Sequence, residues 1–149
     1  MPTLAKNKEG LYNYEILDKD EAGLILFGGE VKATKKGLAN LKGSYIAYEK
    51  DNLWLKNAHI PAYQQKNQPN YEPNRPRKIL MHRKQIDSLM GKSKQQGLTI
   101  LPISLYTKSG LIKVQIGLAR GKKSKDKREL IKKREVDRKI SRALRNKAS

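Results

Sequence analysis

The chain has 149 residues, with 33 Lys and Arg against 14 Asp and Glu, a formal net charge of +19, and no cysteine. The lack of cysteine excludes disulfides, zinc ribbons and thiol chemistry, and a charge surplus of this size calls for a polyanionic partner, because self-repulsion otherwise disfavours the compact state. No run approaches the roughly 18 consecutive apolar residues of a spanning helix, and Met1-Pro2-Thr3-Leu4-Ala5-Lys6 holds no apolar signal core, so a cytoplasmic nucleic-acid binder is expected and a membrane protein is not.

In chain order, the leading segment shows no strand pattern, which leaves Tyr12 there as a candidate for base stacking. Residues 14–17 and 21–27 flank Asp18-Lys19-Asp20 and predict a hairpin. Residues 28–37 predict a short helix stopped by Gly37. Residues 45–48 and 53–55 predict a second hairpin. Residues 61–78 read as loop, with Pro61, Pro69, Pro73 and Pro76. Near the end of that loop, Arg75, Arg77 and Lys78 flank Pro76, which restricts the backbone and partly preorganises three cations. A helix is expected over 82–96, with Ile86, Leu89 and Met90 as its apolar stripe and Gly97 as its stop. Residues 111–118 alternate strictly, Ile112, Val114, Ile116 and Leu118 on one face, and pair with 98–106, where Pro102 implies an edge or a bulge. About six antiparallel strands with short helices make the chain mainly β, with an OB-like barrel as the leading architecture.

The C-terminal end differs in kind. Residues 118–149 carry fourteen Lys and Arg against four Asp and Glu, more than half of the whole charge surplus. Such a segment buries too little apolar surface to offset its ordering entropy and is expected to be disordered alone. Ile131, Val136, Ile140 and Leu144 recur at near-helical spacing, so it is expected to turn helical against a partner; a solvated charge run is the alternative. The division is therefore a barrel domain over 1–123 and a basic tail over 124–149.

Little in the chain points to catalysis or to a bound cofactor. His59 and His82 are far apart and lack ligand spacing, so no metal is expected. Gly91-Lys92-Ser93 resembles the end of a nucleotide-binding loop, but the glycine needed five residues earlier is Ile86. The carboxylates are few and set among lysines, where ion pairing explains them. RNA binding has better material. Seven tyrosines and one tryptophan are interleaved with cations, although Tyr45, Tyr48 and Tyr106 lie in strand patterns where packing competes with stacking. Arg120-Gly121-Lys122-Lys123 follows the clearest strand, and Gly121 permits close approach to a phosphate. No helix suited to reading duplex DNA is evident.

Several runs together resemble the SsrA-binding protein (small protein B) family: Glu21-Ala22-Gly23, Gly28-Gly29-Glu30-Val31-Lys32, Ala39-Asn40-Leu41, Ser44-Tyr45, Arg75-Pro76-Arg77-Lys78-Ile79-Leu80, Leu118-Ala119-Arg120-Gly121-Lys122-Lys123 and Asp126-Lys127-Arg128. Each run is common, but the ordered set is specific. The resemblance implies an OB-like barrel that binds the tRNA-like domain of transfer-messenger RNA and enters stalled ribosomes, without enzymatic activity or cofactor and as a monomer. It implies that the protein stands in the decoding centre and that its tail follows rRNA along the empty mRNA path, so that the unfinished product is tagged for degradation. The positions matching the family's RNA contacts are Asn7, Lys8, Glu21, Tyr45, Arg75, Arg77, Lys78, Leu80, Arg120, Gly121, Lys122 and Lys123. Those assigned to the ribosome and tail are Tyr12, Asp126, Lys127, Arg128 and Leu144. Glu21 is an acid among cations; it can accept hydrogen bonds from base or ribose, or hold a neighbouring lysine.

Two departures from the pattern stand out. Leu11-Tyr12-Asn13-Tyr14 replaces the usual Arg-His-Asp/Glu-Tyr, and an apolar pair near the end falls on Ala143-Leu144. Tyr12 can still stack but carries no charge near neutral pH. A structural ribosomal protein or a general RNA-binding protein remains the alternative reading of the residues themselves.

Overall fold

The computed structural model describes residues 3–64, 70–122 and residue 138. Seven strands and three helices follow in the order β1 (Thr3–Lys6), α1 (Lys8–Asn13), β2 (Tyr14–Leu24), α2 (Gly28–Lys35), β3 (Tyr45–Glu49), β4 (Asn52–Lys56), β5 (Arg77–Leu80), α3 (Arg83–Gln96), β6 (Thr99–Lys108) and β7 (Leu111–Gly121). They form one antiparallel sheet in the order β1-β6-β7-β2-β5-β4-β3. The sheet curls until β3 packs close to β6 with no ladder between them, which makes a nearly closed barrel of the expected class.

The interior is aliphatic. Ala22 and Leu24 of β2, Leu53 and Leu55 of β4, Ile79 of β5, Ile100 and Leu105 of β6, and Val114, Ile116 and Leu118 of β7 meet Ile86 and Leu89 of α3 in one core. The alternation along β7 is the cause: Ile112, Val114, Ile116 and Leu118 point inward, while Lys113 and Gln115 remain half-exposed. The α3 helix ends where the sequence places its stop, with Gly97 in the left-handed conformation at φ +62°. Its amide donates to the Ser93 carbonyl. The Gly91-Lys92-Ser93 run lies inside α3, not in a loop between strand and helix.

Three expectations change, and the choice left open at Pro102 is decided. Residues 14–24 are one long strand, not two strands of a hairpin. Asp18, Lys19 and Asp20 have turn-like composition but pair with Leu118, Gly117 and Ile116 of β7. Their part of β2 is largely exposed, so polar side chains are tolerated there, and the ladder absorbs Leu17 as a bulge between Ile16 and Asp18. Pro102 marks a bulge in an internal strand, not an edge. The β6–β7 register shifts between Pro102 and Ser104, and β1 covers the other side of β6. Finally, the leading segment is structured: β1 pairs with β6, and α1 is capped by Asn7. Residues 77 and 78, expected in the loop, open β5; β1 and β5 add two strands and the single β2 removes one, which takes the number from about six to seven.

Candidate nucleic-acid interface

Glu21 and Leu80 meet at one recess. The β2–β5 ladder pairs Gly23 with Leu80. Around it, Glu21, Leu80, Met81, His82, Gln85 and Lys113 line a concavity of about 470 Å³. Leu80 is half-exposed at its wall. Glu21 lies in the β2–β7 ladder, opposite Gln115. It accepts a hydrogen bond from the Tyr106 hydroxyl, and Lys108 Nζ lies 3.2 Å from Oε1. The Tyr106 hydroxyl, then Lys108, hold the Glu21 carboxyl below its usual range. Burial, and then the same carboxylate, push the Tyr106 phenol up. Glu21 thus holds Lys108 beside it, one of the two roles open to it from the sequence. Nothing along the chain marks Tyr106 and Lys108 as partners of Glu21. They lie 85 and 87 positions away, and only the β6–β7–β2 register brings the three together.

The cations of 75–78 divide into two kinds. Arg77 is fully buried. Its Nε and Nη2 donate to Glu30 Oε2 at 2.9 and 2.6 Å, and its Nη1 donates to the Ala58 carbonyl at 2.6 Å. Arg77 is therefore a core residue, not a surface cation, because its fork is the counter-charge to a buried carboxylate. Arg75 also donates to Glu30, from Nε at 3.1 Å and from Nη2, and its guanidinium stacks 3.9 Å over the exposed Phe27 ring. The Tyr71 hydroxyl completes the shell at 2.8 Å. Burial alone raises the Glu30 carboxyl; Arg75, the Phe27 amide, Arg77 and Tyr71 outweigh it and lower the group overall. Burial and Glu30 push the Tyr71 phenol up to about 12. Lys78 remains half-exposed opposite Trp54 on β4.

A second group gathers around α1. Lys6, Lys8, Asn40 and Lys42 line a recess of about 390 Å³ with one acid, Glu9. Tyr45, half-exposed on edge strand β3, faces a neighbouring recess of about 150 Å³ that includes Asn7, Gly10, Asn13 and Tyr14. Tyr45 is thus presented to solvent, Tyr48 is more covered and bonded to Arg83, and Tyr106 is buried. Asn7 itself is only 4% exposed. It caps α1 and donates to the Pro102 carbonyl at 2.8 Å. Tyr12 is half-buried in α1. At the end of β7, Arg120 is 61% exposed and pairs with Glu15 at 2.8 Å, and Gly121 has open space around it. Lys122 turns back onto α1. Lys123, Asp126, Lys127, Arg128 and Leu144 lie outside the described residues, as does the expected helix of the tail.

The whole charge-rich assembly answers to one sequence pattern: the profile of the SmpB protein family matches residues 4–146. The chain belongs to the SmpB family. It is 47% identical over 146 residues to the SsrA-binding protein of Desulforudis audaxviator (strain MP104C), covering 98% of this chain and 95% of that relative. It is 46% identical over 143 residues to the SsrA-binding protein of Enterococcus faecalis (strain ATCC 700802 / V583), covering 96% and 93%. A solved structure described as "tmRNA-SmpB: a journey to the center of the bacterial ribosome" superposes with a TM-score of 0.66 at 40% identity, over 80% of this chain and 84% of that one. The mainly β architecture is thus shared with an SmpB chain of known structure. Among the described residues of this SmpB-family chain no three metal-ligating side chains converge, and no helix is long and apolar enough to cross a membrane.

Proposed function

We propose that the chain is a cytoplasmic, non-catalytic RNA-binding adaptor of trans-translation. It binds the tRNA-like domain of transfer-messenger RNA and brings it to stalled ribosomes, so that incomplete products are tagged for degradation and the ribosome is released. The observation that carries this reading is near full-length likeness to SsrA-binding proteins, joined to a +19 charge.

The geometry fits an RNA that is recognised by shape. The recess of Glu21 and Leu80 offers an apolar wall and the lining Lys113, with Lys108 held by Glu21, suited to an unstacked base and its phosphate. Lys8 and Tyr45 offer a cation and an exposed ring around α1. Arg120 and Gly121 lie near α1, one supplying charge and the other access. Arg75 and Arg77 act beneath this surface by holding the 75–80 segment against α2 through Glu30. The basic segment after residue 123, with Asp126, Lys127, Arg128 and Leu144, is assigned to the ribosome: it follows rRNA in the empty mRNA path. Tyr12 is assigned to stacking in the decoding centre, in place of the family's histidine.

Truncation after Lys123 tests the division of labour. The barrel should keep its affinity for the tRNA-like RNA and lose tagging in a reconstituted translation reaction. Loss of RNA affinity on truncation would overturn the two-part assignment. Stoichiometric co-purification with every ribosomal subunit would favour a structural ribosomal protein instead.

A further inference from the structure

We propose that Lys122 is a positioning residue, not a phosphate contact: it locks the root of the basic C-terminal segment onto the end of α1, and Asn7 holds α1 in place for it. The inference deepens the RNA-adaptor reading by naming what sets the direction in which that segment leaves the barrel.

Lys122 follows the last residue of β7, Gly121, which pairs with Tyr14 at the start of β2. Its backbone N–H donates to the Asn13 carbonyl at 2.9 Å. Its Nζ donates to the Leu11 carbonyl, also at 2.9 Å. Both acceptors belong to the last turn of α1, where helix carbonyls lack intrahelical donors and a cation is favoured. A backbone bond and a side-chain bond from one residue to one helix end fix both the place and the heading of the chain. Arg120, two positions earlier, extends its head into solvent instead.

A helix of six residues is not stable on its own, so something must hold it. Asn7 does so with every polar group it has. Its backbone N–H donates to the Ile103 carbonyl at 2.8 Å, and its backbone carbonyl accepts from the Leu11 N–H at 3.0 Å. Its side-chain oxygen accepts from the Gly10 N–H at 2.9 Å, and its side-chain amide donates to the Pro102 carbonyl at 2.8 Å. The Pro102 and Ile103 carbonyls lie at the β6 bulge. Gly10 seals the joint: a Cβ there would stand 2.5 Å from Asn7 Nδ2 and 2.9 Å from Leu101 Cδ1. A continuous line of hydrogen bonds thus runs from the β6 bulge through Asn7 and α1 to Lys122. A cationic donor on a long stem is needed to reach Leu11, and one so placed is turned toward α1.

The absence of cysteine allows a direct test on the full chain. Spin labels at Lys84→Cys on α3 and Ser124→Cys report one pair distance without any RNA present. The lock predicts a narrow distribution that at least doubles in width with Lys122→Met or Asn7→Ala and stays narrow with Lys122→Arg. Lys122→Met lies at the rim of the fold and keeps the test decisive even if Asn7→Ala fails to fold. In RNA titrations Lys122→Met should leave the salt dependence of binding unchanged, while tagging in a reconstituted translation reaction falls several-fold. An unchanged width in Lys122→Met, or a log–log salt slope shallower by about 0.7–0.9 as for one lost phosphate contact, would overturn the proposal. If the unsubstituted protein ignored tRNA-like RNA, the adaptor reading would fail, and the distance widths would still decide the lock.

Discussion

Glu30 shows how far one buried charge can organise a surface. Its carboxylate is almost fully buried and shared by Arg75, Arg77, Tyr71 and the Phe27 amide. Breaking such a pair leaves an uncompensated charge inside, so Arg77→Met should lower stability by roughly 3–5 kcal/mol in urea unfolding. Because the folded-state value of Glu30 is depressed, its contribution is present above the unfolded carboxylate value and is lost as pH falls through the lower folded one. Acid titration of the parent protein should therefore show a loss of stability below about pH 4 that Glu30→Gln lacks. Glu21 gives a second residue-level expectation. Tyr106→Phe removes the larger of the two hydrogen bonds that lower it, so its carboxyl should move upward in an NMR titration. A carboxyl that stays put would show that the neighbouring lysines, not Tyr106, set it.

The elements differ in how openly the sequence announces them. The α3 helix and the β6–β7 pair were legible because a 3.6-residue stripe and a two-residue alternation each run long enough to stand out, and glycines mark their ends. Asp18-Lys19-Asp20 misled because local composition favours a turn, while the long-range pairing with β7 that keeps it in a strand is not visible along the chain. The first strand and helix were hidden for the same reason: α1 buries no side chain and is held by Asn7. Tyr12 stood out by itself, but Asn7 and Lys8 were legible only through the family resemblance, which named Asn7 without saying that its side chain faces inward. Gly10 is the sharpest test of this element. Gly10→Ala should displace α1 at a cost of about 1–3 kcal/mol, with faster amide exchange over residues 8–13 and little change in β6 and β7. Uniform loosening of the barrel would contradict a local role.

At the scale of the molecule, charge and shape have separate jobs. The barrel presents Glu21, Leu80, Lys8 and Tyr45 on fixed strands and on the short helix braced against them. The surplus of cations makes any polyanion attractive, so affinity alone is not informative. Discrimination must come from the recesses and their rims. Arg120→Ala should make the salt dependence of RNA binding shallower by about 0.7–0.9 in log–log slope, as one phosphate contact is lost. Glu15→Ala, which frees Arg120 from its ion pair, should not. The most direct measurement is equilibrium binding of the tRNA-like domain of transfer-messenger RNA to the full chain at about 150 mM salt, in the presence of excess heparin. Shape recognition predicts that binding survives the competitor and weakens with Glu21→Ala and Leu80→Ala. Complete displacement by heparin, at the same competitor level that displaces unrelated duplex RNA, would contradict the account.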